Sequence, residues 1–240
     1  MHPTSDHPES SPERAVSLRD IVMQGARYMI GRQMCGMVIS VVGIVLLTRM
    51  IGPGPYGIYA AALGVMTYLM NVSLWGIDTY LIRERESLGD RDFDQAFTLL
   101  LLISSGVKAV ALLSLPFIDA WIAIDNFRAV AVLVFAGLPL AMVSKVPQAF
   151  LESKLEFKKV ALVSFGAQLL YQPVALGLAY GGAGALAPLA GWWSSLLFSA
   201  VMYFVLSGYR PRLTWQRQRI KAMLGYGLSY AASMWVWQLR

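Results

Sequence analysis

The fifty residues Val160–Tyr209 read VALVSFGAQLLYQPVALGLAYGGAGALAPLAGWWSSLLFSAVMYFVLSGY and contain no Asp, Glu, Lys or Arg. A single helix of that length would run about 75 Å, more than twice the roughly 30 Å hydrocarbon core of a bilayer, which about 20 helical residues cross. The stretch is therefore two helices, and Gly181-Gly182-Ala183-Gly184 supplies the turn between them. The two spans run over Val160–Tyr180 and Leu186–Leu206. No soluble core hides apolar runs this long, and the composition agrees: 57% of the 240 residues are hydrophobic and 14% charged, where soluble domains approach about a quarter charged.

Four further spans precede these two. Tyr28–Met50 ends at Gly52-Pro53-Gly54-Pro55, where prolines lack donors and glycines permit a turn. Tyr56–Ile82 follows at once, then a charged loop Arg83–Asp94, a third span Ala96–Phe117 and a fourth Arg128–Phe150. Lys154, Lys158 and Lys159 mark the break before the fifth. A basic segment Arg210–Lys221 follows the sixth, and another apolar run starts at Met223 and stops at Arg240. The expected fold class is all-α: a polytopic membrane protein with a six-helix lobe over residues 18–209, and a linker plus a truncated seventh helix over 210–240. Met1–Ser17 is rich in Pro, Ser and acidic residues without apolar periodicity, the pattern of a disordered tail. Asp6, Glu9 and Glu13 occupy the place where a signal peptide needs a basic start.

Lys and Arg divide unequally between the two sides. Arg14, Arg19 and Arg27, then Arg83, Arg85 and Arg91, then Lys154, Lys158 and Lys159, then Arg210, Arg212, Arg217, Arg219 and Lys221 fall on one side; Arg49 and Arg128 fall on the other. Basic loops stay cytoplasmic, so the amino terminus and the loops after spans two, four and six are expected to face the cytoplasm of a plasma (inner) membrane. The same clustering explains the net charge of +6 better than nucleic acid does. Cys35, His2 and His7 are too few for a disulfide framework or a metal site of the usual ligands. No G-x-x-x-x-G-K-S/T loop is present, and no cofactor is expected. Asp119 and Asp125 in an outer loop are read as solvating it, so the chain is not expected to be an enzyme.

Polar residues inside apolar spans are the candidate site residues, because charge in hydrocarbon costs at least about 2.5 kcal/mol. Lys108 lies about twelve residues, or roughly 18 Å, into the third span, with Ser104 and Ser105 one turn behind. It either contacts an anionic group in a cavity or snorkels to the surface. Arg32 and Asp78 lie at similar depth on antiparallel spans one and two, where they are expected to pair, as a structural ion pair or as a gate. Lys145 is shallow enough to snorkel. Thr67, Asn71 and Asp78 share one face of span two, and Ser164, Gln168 and Gln172 one face of span five. Such faces line water or bond helix to helix. Ala187, Gly191, Ser195 and Ser199 form a small-residue stripe, read as close packing.

The first hairpin, Leu47-Thr48-Arg49-Met50-Ile51-Gly52-Pro53-Gly54-Pro55-Tyr56-Gly57-Ile58-Tyr59, resembles the L-x-R-x-L-G-P-x-x-Y-G-x-Y signature of bacterial oligosaccharide flippases. These form the Wzx-like polysaccharide transporter branch of the superfamily that includes MATE exporters. Val146-Pro147-Gln148-Ala149-Phe150-Leu151 with Leu155-Glu156-Phe157-Lys158-Lys159 is similar to that family's fourth-to-fifth junction. Arg210-Pro211-Arg212-Leu213 with Leu224-Gly225-Tyr226-Gly227 is similar to its sixth-to-seventh junction. The resemblance implies two six-helix lobes around a cavity that opens alternately to either side and moves an undecaprenyl-pyrophosphate-linked oligosaccharide to the outer leaflet. This chain matches the amino-terminal lobe, so a carboxy-terminal lobe or a partner subunit is expected, and polysaccharide polymerase machinery is a further candidate partner. For that task Lys108 and Arg32 suit the pyrophosphate, Asn71, Gln168 and Gln172 the sugar hydroxyls, and Asp78 a coupling ion; these choices rest on depth and helix face. Two other functions compete: a MATE-like exporter of amphipathic cations, which calls for cavity carboxylates, and a non-transporting membrane subunit of a glycan assembly complex.

Overall fold

The computed structural model describes residues 34, 36–74, 76–83, 89–122, 126–217, 220–221, 223–225 and 227. By its contacts the chain divides into two units, residues 1–42 and 43–240. In the first, the described residues form the beginning of helix α1 (Gly36–Ile51); the expected tail and Arg32 lie outside the described residues. All that follows concerns the second unit, whose described regular structure is entirely helical.

Its helices after α1 are α2 (Pro53–Leu74), α3 (Ile77–Arg83), α4 (Asp90–Ile122), α5 (Phe127–Ala136), α6 (Leu138–Val143), α7 (Lys145–Ser153), α8 (Phe157–Tyr180) and α9 (Leu186–Ser207). Five helical stretches among the described residues are long and apolar enough to cross a bilayer: α2, Arg91–Trp121 in α4, α5 to α7 taken together, α8 and α9. The chain is a multi-pass membrane protein. The first expected span, Tyr28–Met50, lies partly outside the described residues, and its described part, α1, is a shorter apolar helix. The expected seventh span lies mostly outside them.

The turns form where glycine and proline place them. Gly52 takes a left-handed φ of 86° and its N–H reaches the Thr48 carbonyl at 3.0 Å, closing α1. Pro53 then opens α2, where a missing N–H costs nothing. Gly182 and Gly184, at φ 79° and 53°, turn the chain between α8 and α9. The fourth span bends at Gly137 and Ser144. Pro139 and Pro147 cannot donate to Phe135 and Val143 four residues back, so the helix ladder is interrupted at both places.

Three expected boundaries change. Span two is not one helix to Ile82: α2 ends at Leu74, Gly76 adopts φ 68°, and α3 starts afresh. The segment Arg83–Asp94 is not all loop, because α4 begins at Asp90 and runs 33 residues, about 50 Å. Its first turn is charged, and Asp92 there complements the positive helix end. The Gly89 N–H donates to Asp92 Oδ2 at 2.9 Å. Finally, Arg210–Lys221 is more than a solvated linker, since Tyr209, Ile220 and Met223 belong to the main apolar core.

That core gathers Tyr59, Ala62 and Met66 of α2, Leu99 and Leu100 of α4, and Phe127, Phe135 and Met142 of the fourth span. The fourth span is the centre of the bundle: 61% of its apolar window is buried, against 22–33% for the other four. Helices α8 and α9 pair through small residues. A Cβ on Gly191 would lie 2.8 Å from the Ala175 Cβ and 2.9 Å from the Tyr171 carbonyl oxygen. Ala175 and Ala187 are fully buried. The small-residue stripe is thus a packing surface within the chain, as its spacing predicts.

Candidate functional site

Exposed helix faces in a bilayer meet either lipid or water, and their side chains tell which. On α4 the exposed large residues are Leu102, Val110, Leu113, Phe117 and Trp121, a lipid face. Beyond its first turn, the exposed residues of α2 are different: Gly57, Ala60, Gly64, Thr67, Tyr68 and Asn71. At 100° per residue they fall within a stripe roughly 100° wide. Tyr68 is the one large hydrophobic residue exposed on α2. Small and hydrogen-bonding side chains without aliphatic bulk suit a hydrated cavity or a contact with another helix better than they suit lipid. Asn71 sits in this stripe, exposed, with its amide unpartnered among the described residues. Thr67, also in the stripe, returns its hydroxyl to the Leu63 carbonyl at 2.8 Å.

Lys108 is half-buried. It borders the buried edge of α4 formed by Leu100, Ser104, Ala111 and Leu115, and lies about 170° round the helix from the mean of the lipid-facing side chains. That placement turns its stem away from lipid. It makes no hydrogen bond or ion pair among the described residues. Ser104 behind it is satisfied by its own helix, donating to the Leu100 carbonyl.

The α8 face is largely taken up by helix contacts. Ser164 Oγ lies 3.1 Å from the Tyr203 hydroxyl of α9. The Gln172 amide covers Gly43 so closely that a Cβ there would overlap it, which locks α8 against the α1 backbone. Gln168, on the same side, is half-buried and engaged. Asp78 lies in the first turn of α3, where its Oδ1 accepts the Thr79 N–H at 2.8 Å. Its expected partner Arg32 is outside the described residues. Asn71, Asp78 and Lys108 make no hydrogen bond or ion pair with one another. Lys145 donates to Gln148 at 3.3 Å, which donates on to Glu152 at 2.9 Å, along α7.

A second polar site was not singled out from the sequence. Where α4 begins, α7 ends and the chain leaves α9, a cavity of about 410 Å³ is lined by Arg91, Asp94, Phe150, Tyr209, Arg210 and Arg212. Buried Asp94 organises it. Its Oδ1 accepts the Tyr209 hydroxyl at 2.7 Å and the Arg212 N–H at 3.1 Å. One turn along α4, Thr98 Oγ accepts the Thr214 N–H at 3.1 Å while donating to the Asp94 carbonyl at 2.9 Å. Two N–H groups two residues apart on an extended chain are about 6.6 Å apart, and one helical turn of four residues is about 6 Å, so segment and helix match in register. Pro211 favours the extended form and has no N–H to satisfy. Phe150 stacks edge-on with Phe93 at 5.0 Å and tilts against Tyr209 at 5.7 Å. Lys154 Nζ sits 3.9 Å over the Phe150 ring. The sequence signal was the Tyr-Arg-Pro-Arg run at the end of the sixth span, legible as a junction but silent about its partner 115 residues earlier.

The bundle is that of a multi-pass membrane protein with a polar α2 face and a basic end. The family whose sequence model matches residues 46–239 is described as polysaccharide biosynthesis protein, and the chain belongs to it. No curated protein and no solved structure matches the chain. Its role is in polysaccharide biosynthesis, in agreement with the Wzx-like resemblance of its first hairpin.

Proposed function

We propose that the protein is a transporter, not an enzyme, and that it moves a lipid-linked oligosaccharide, carried on a polyprenyl pyrophosphate, from the cytoplasmic to the outer leaflet of the bacterial inner membrane. The observation that carries this reading is the exposed, aliphatic-poor face of α2 in a chain of the polysaccharide biosynthesis family. A lipid-facing helix has no use for Asn71 at its surface; a sugar passing between leaflets does. Asymmetry of Lys and Arg supports a cytoplasmic amino terminus. Lys108, turned away from lipid, is the candidate contact for the diphosphate, and Asn71 for sugar hydroxyls.

The competing readings lose support. The assembly-subunit reading takes the small-residue stripe and the polar helix faces as interfaces; Gly191 of the stripe packs on α8, which leaves the polar faces alone to carry it. The cation-exporter reading needs cavity carboxylates, and Asp78 is held by Thr79 at the start of a short helix. Deletion of the gene tests the proposal: lipid-linked oligosaccharide is expected to accumulate on the cytoplasmic leaflet while surface polysaccharide falls. Normal surface polysaccharide in the deletion strain refutes it.

A further inference from the structure

Arg91, Arg210 and Arg212 line one cavity at the basic end of the bundle, and none of the three guanidinium groups has a hydrogen-bond or ion-pair partner among the described residues. The one carboxylate in the lining, Asp94, is buried and bound to a phenol and a backbone N–H, not to a guanidinium. Among the described residues these exposed cations thus have no protein partner, while the backbone that carries two of them is held fixed. We propose that this cavity is a phosphate-ester site, occupied by the phosphate or diphosphate head of a membrane lipid.

Four features support it. Planar guanidiniums grip phosphate oxygens in pairs, and every cation among the described lining residues is an arginine, although lysines stand close by, Lys154 over the Phe150 ring and Lys158 and Lys159 in the first turn of α8. The cavity lies where α9 ends and the candidate membrane span of α4 begins, the place along a spanning helix where lipid head groups are expected. Its floor is fixed, because Asp94 and Thr98 hold the extended run carrying Arg210 and Arg212, so the ordering cost is met before a ligand arrives. Its wall includes the Phe150 ring, an apolar surface beside the charges that suits the boundary between a head group and its tail. Asp94 is here a positioning residue.

The site does not depend on flipping, and its test is separate. The protein is placed in phosphatidylcholine nanodiscs and titrated with inorganic diphosphate; in a second arm, phosphatidylglycerol replaces part of the phosphatidylcholine and retention of spin-labelled phosphatidylglycerol is read. R210A/R212A is expected to weaken binding at least about tenfold in one arm or both, and the arm that responds tells whether the site takes a diphosphate or a phosphodiester head group. K158A/K159A removes the same charge from the same end outside the cavity and is expected to change binding less than about threefold. Equal binding by wild type and R210A/R212A in both arms overturns the proposal, as does an equal loss in both double variants, which would reduce it to general attraction between a basic face and anionic lipid.

Discussion

Truncating Asp94 tests whether the segment after α9 is an integral part of the fold. Asp94 is 7% exposed and Tyr209 8%, so their 2.7 Å contact is shielded from water. Hydrogen bonds to a charged acceptor contribute about 1.5–3 kcal/mol each. Asp94→Ala removes two of them, to the Tyr209 hydroxyl and the Arg212 N–H, and leaves both donors near α4 without an acceptor. It also relieves the desolvation of the carboxylate, so the net expected loss is about 2–3 kcal/mol. Tyr209→Phe removes one of the two and is expected to lose about 1–1.5 kcal/mol. Because the variants share a bond, the double variant should fall short of their sum by about 1 kcal/mol. The assay is equilibrium unfolding in mixed micelles followed by tryptophan fluorescence, with the cycle of single and double variants measured together. A loss below about 0.5 kcal/mol for Asp94→Ala, or strict additivity in the cycle, refutes the assignment of the segment to the folded core.

Gly191→Val places a branched side chain where a single Cβ already meets the Tyr171 carbonyl at 2.9 Å; it is expected to cost about 1–3 kcal/mol or to prevent accumulation of folded protein, and a wild-type unfolding midpoint contradicts it. Gln95 is fully buried with neither amide atom partnered among the described residues, so Gln95→Met, close in volume, is expected to stabilise by about 1–2 kcal/mol in the same assay, whereas a destabilised variant shows that the amide is satisfied in the membrane. Lys108→Ala at normal protein level is expected to reduce outward transport of lipid-linked oligosaccharide at least about tenfold, with Lys108→Arg retaining most of it. Undiminished transport by Lys108→Ala removes that residue from the cavity.

The helices that sequence reasoning bounds best are those whose ends are set by local chemistry. Gly52-Pro53 combines a left-handed glycine with a proline free of donors, and the turn falls where those two residues demand it. The α8 to α9 hairpin follows in the same way from Gly182 and Gly184. Errors arise where hydropathy and backbone geometry part company. Gly76 interrupts span two within a run that stays apolar, because a positive φ is invisible to hydrophobicity. The start of α4 was placed too late for the opposite reason: its first turn is charged, yet aspartates stabilise a helix amino terminus. Counting apolar residues therefore underestimates helices that project beyond the bilayer.

Site residues were harder to read, because a polar residue on a helix announces only that it avoids lipid. Ser164, Gln172 and Asn71 look alike in sequence: each repeats at helical spacing in an apolar span. The structure separates them. Ser164 meets Tyr203 and Gln172 covers Gly43, so both join helices, while Asn71 remains on an open face. The discriminating feature is the neighbours rather than the residue. Gly57, Ala60, Gly64 and Thr67 share the stripe with Asn71, with Tyr68 the one large side chain among them, and a face this poor in aliphatic side chains gains less from lipid tails than from water or another helix. The basic cavity escaped for a different reason. Arg91, Asp94 and Arg212 are each explained by a local rule, two as topology signals and one as a loop acid, and each explanation is sufficient alone. Only the pairing of Asp94 with Tyr209, 115 positions apart, brings these three charges into one site, and no local spacing encodes a contact at that separation.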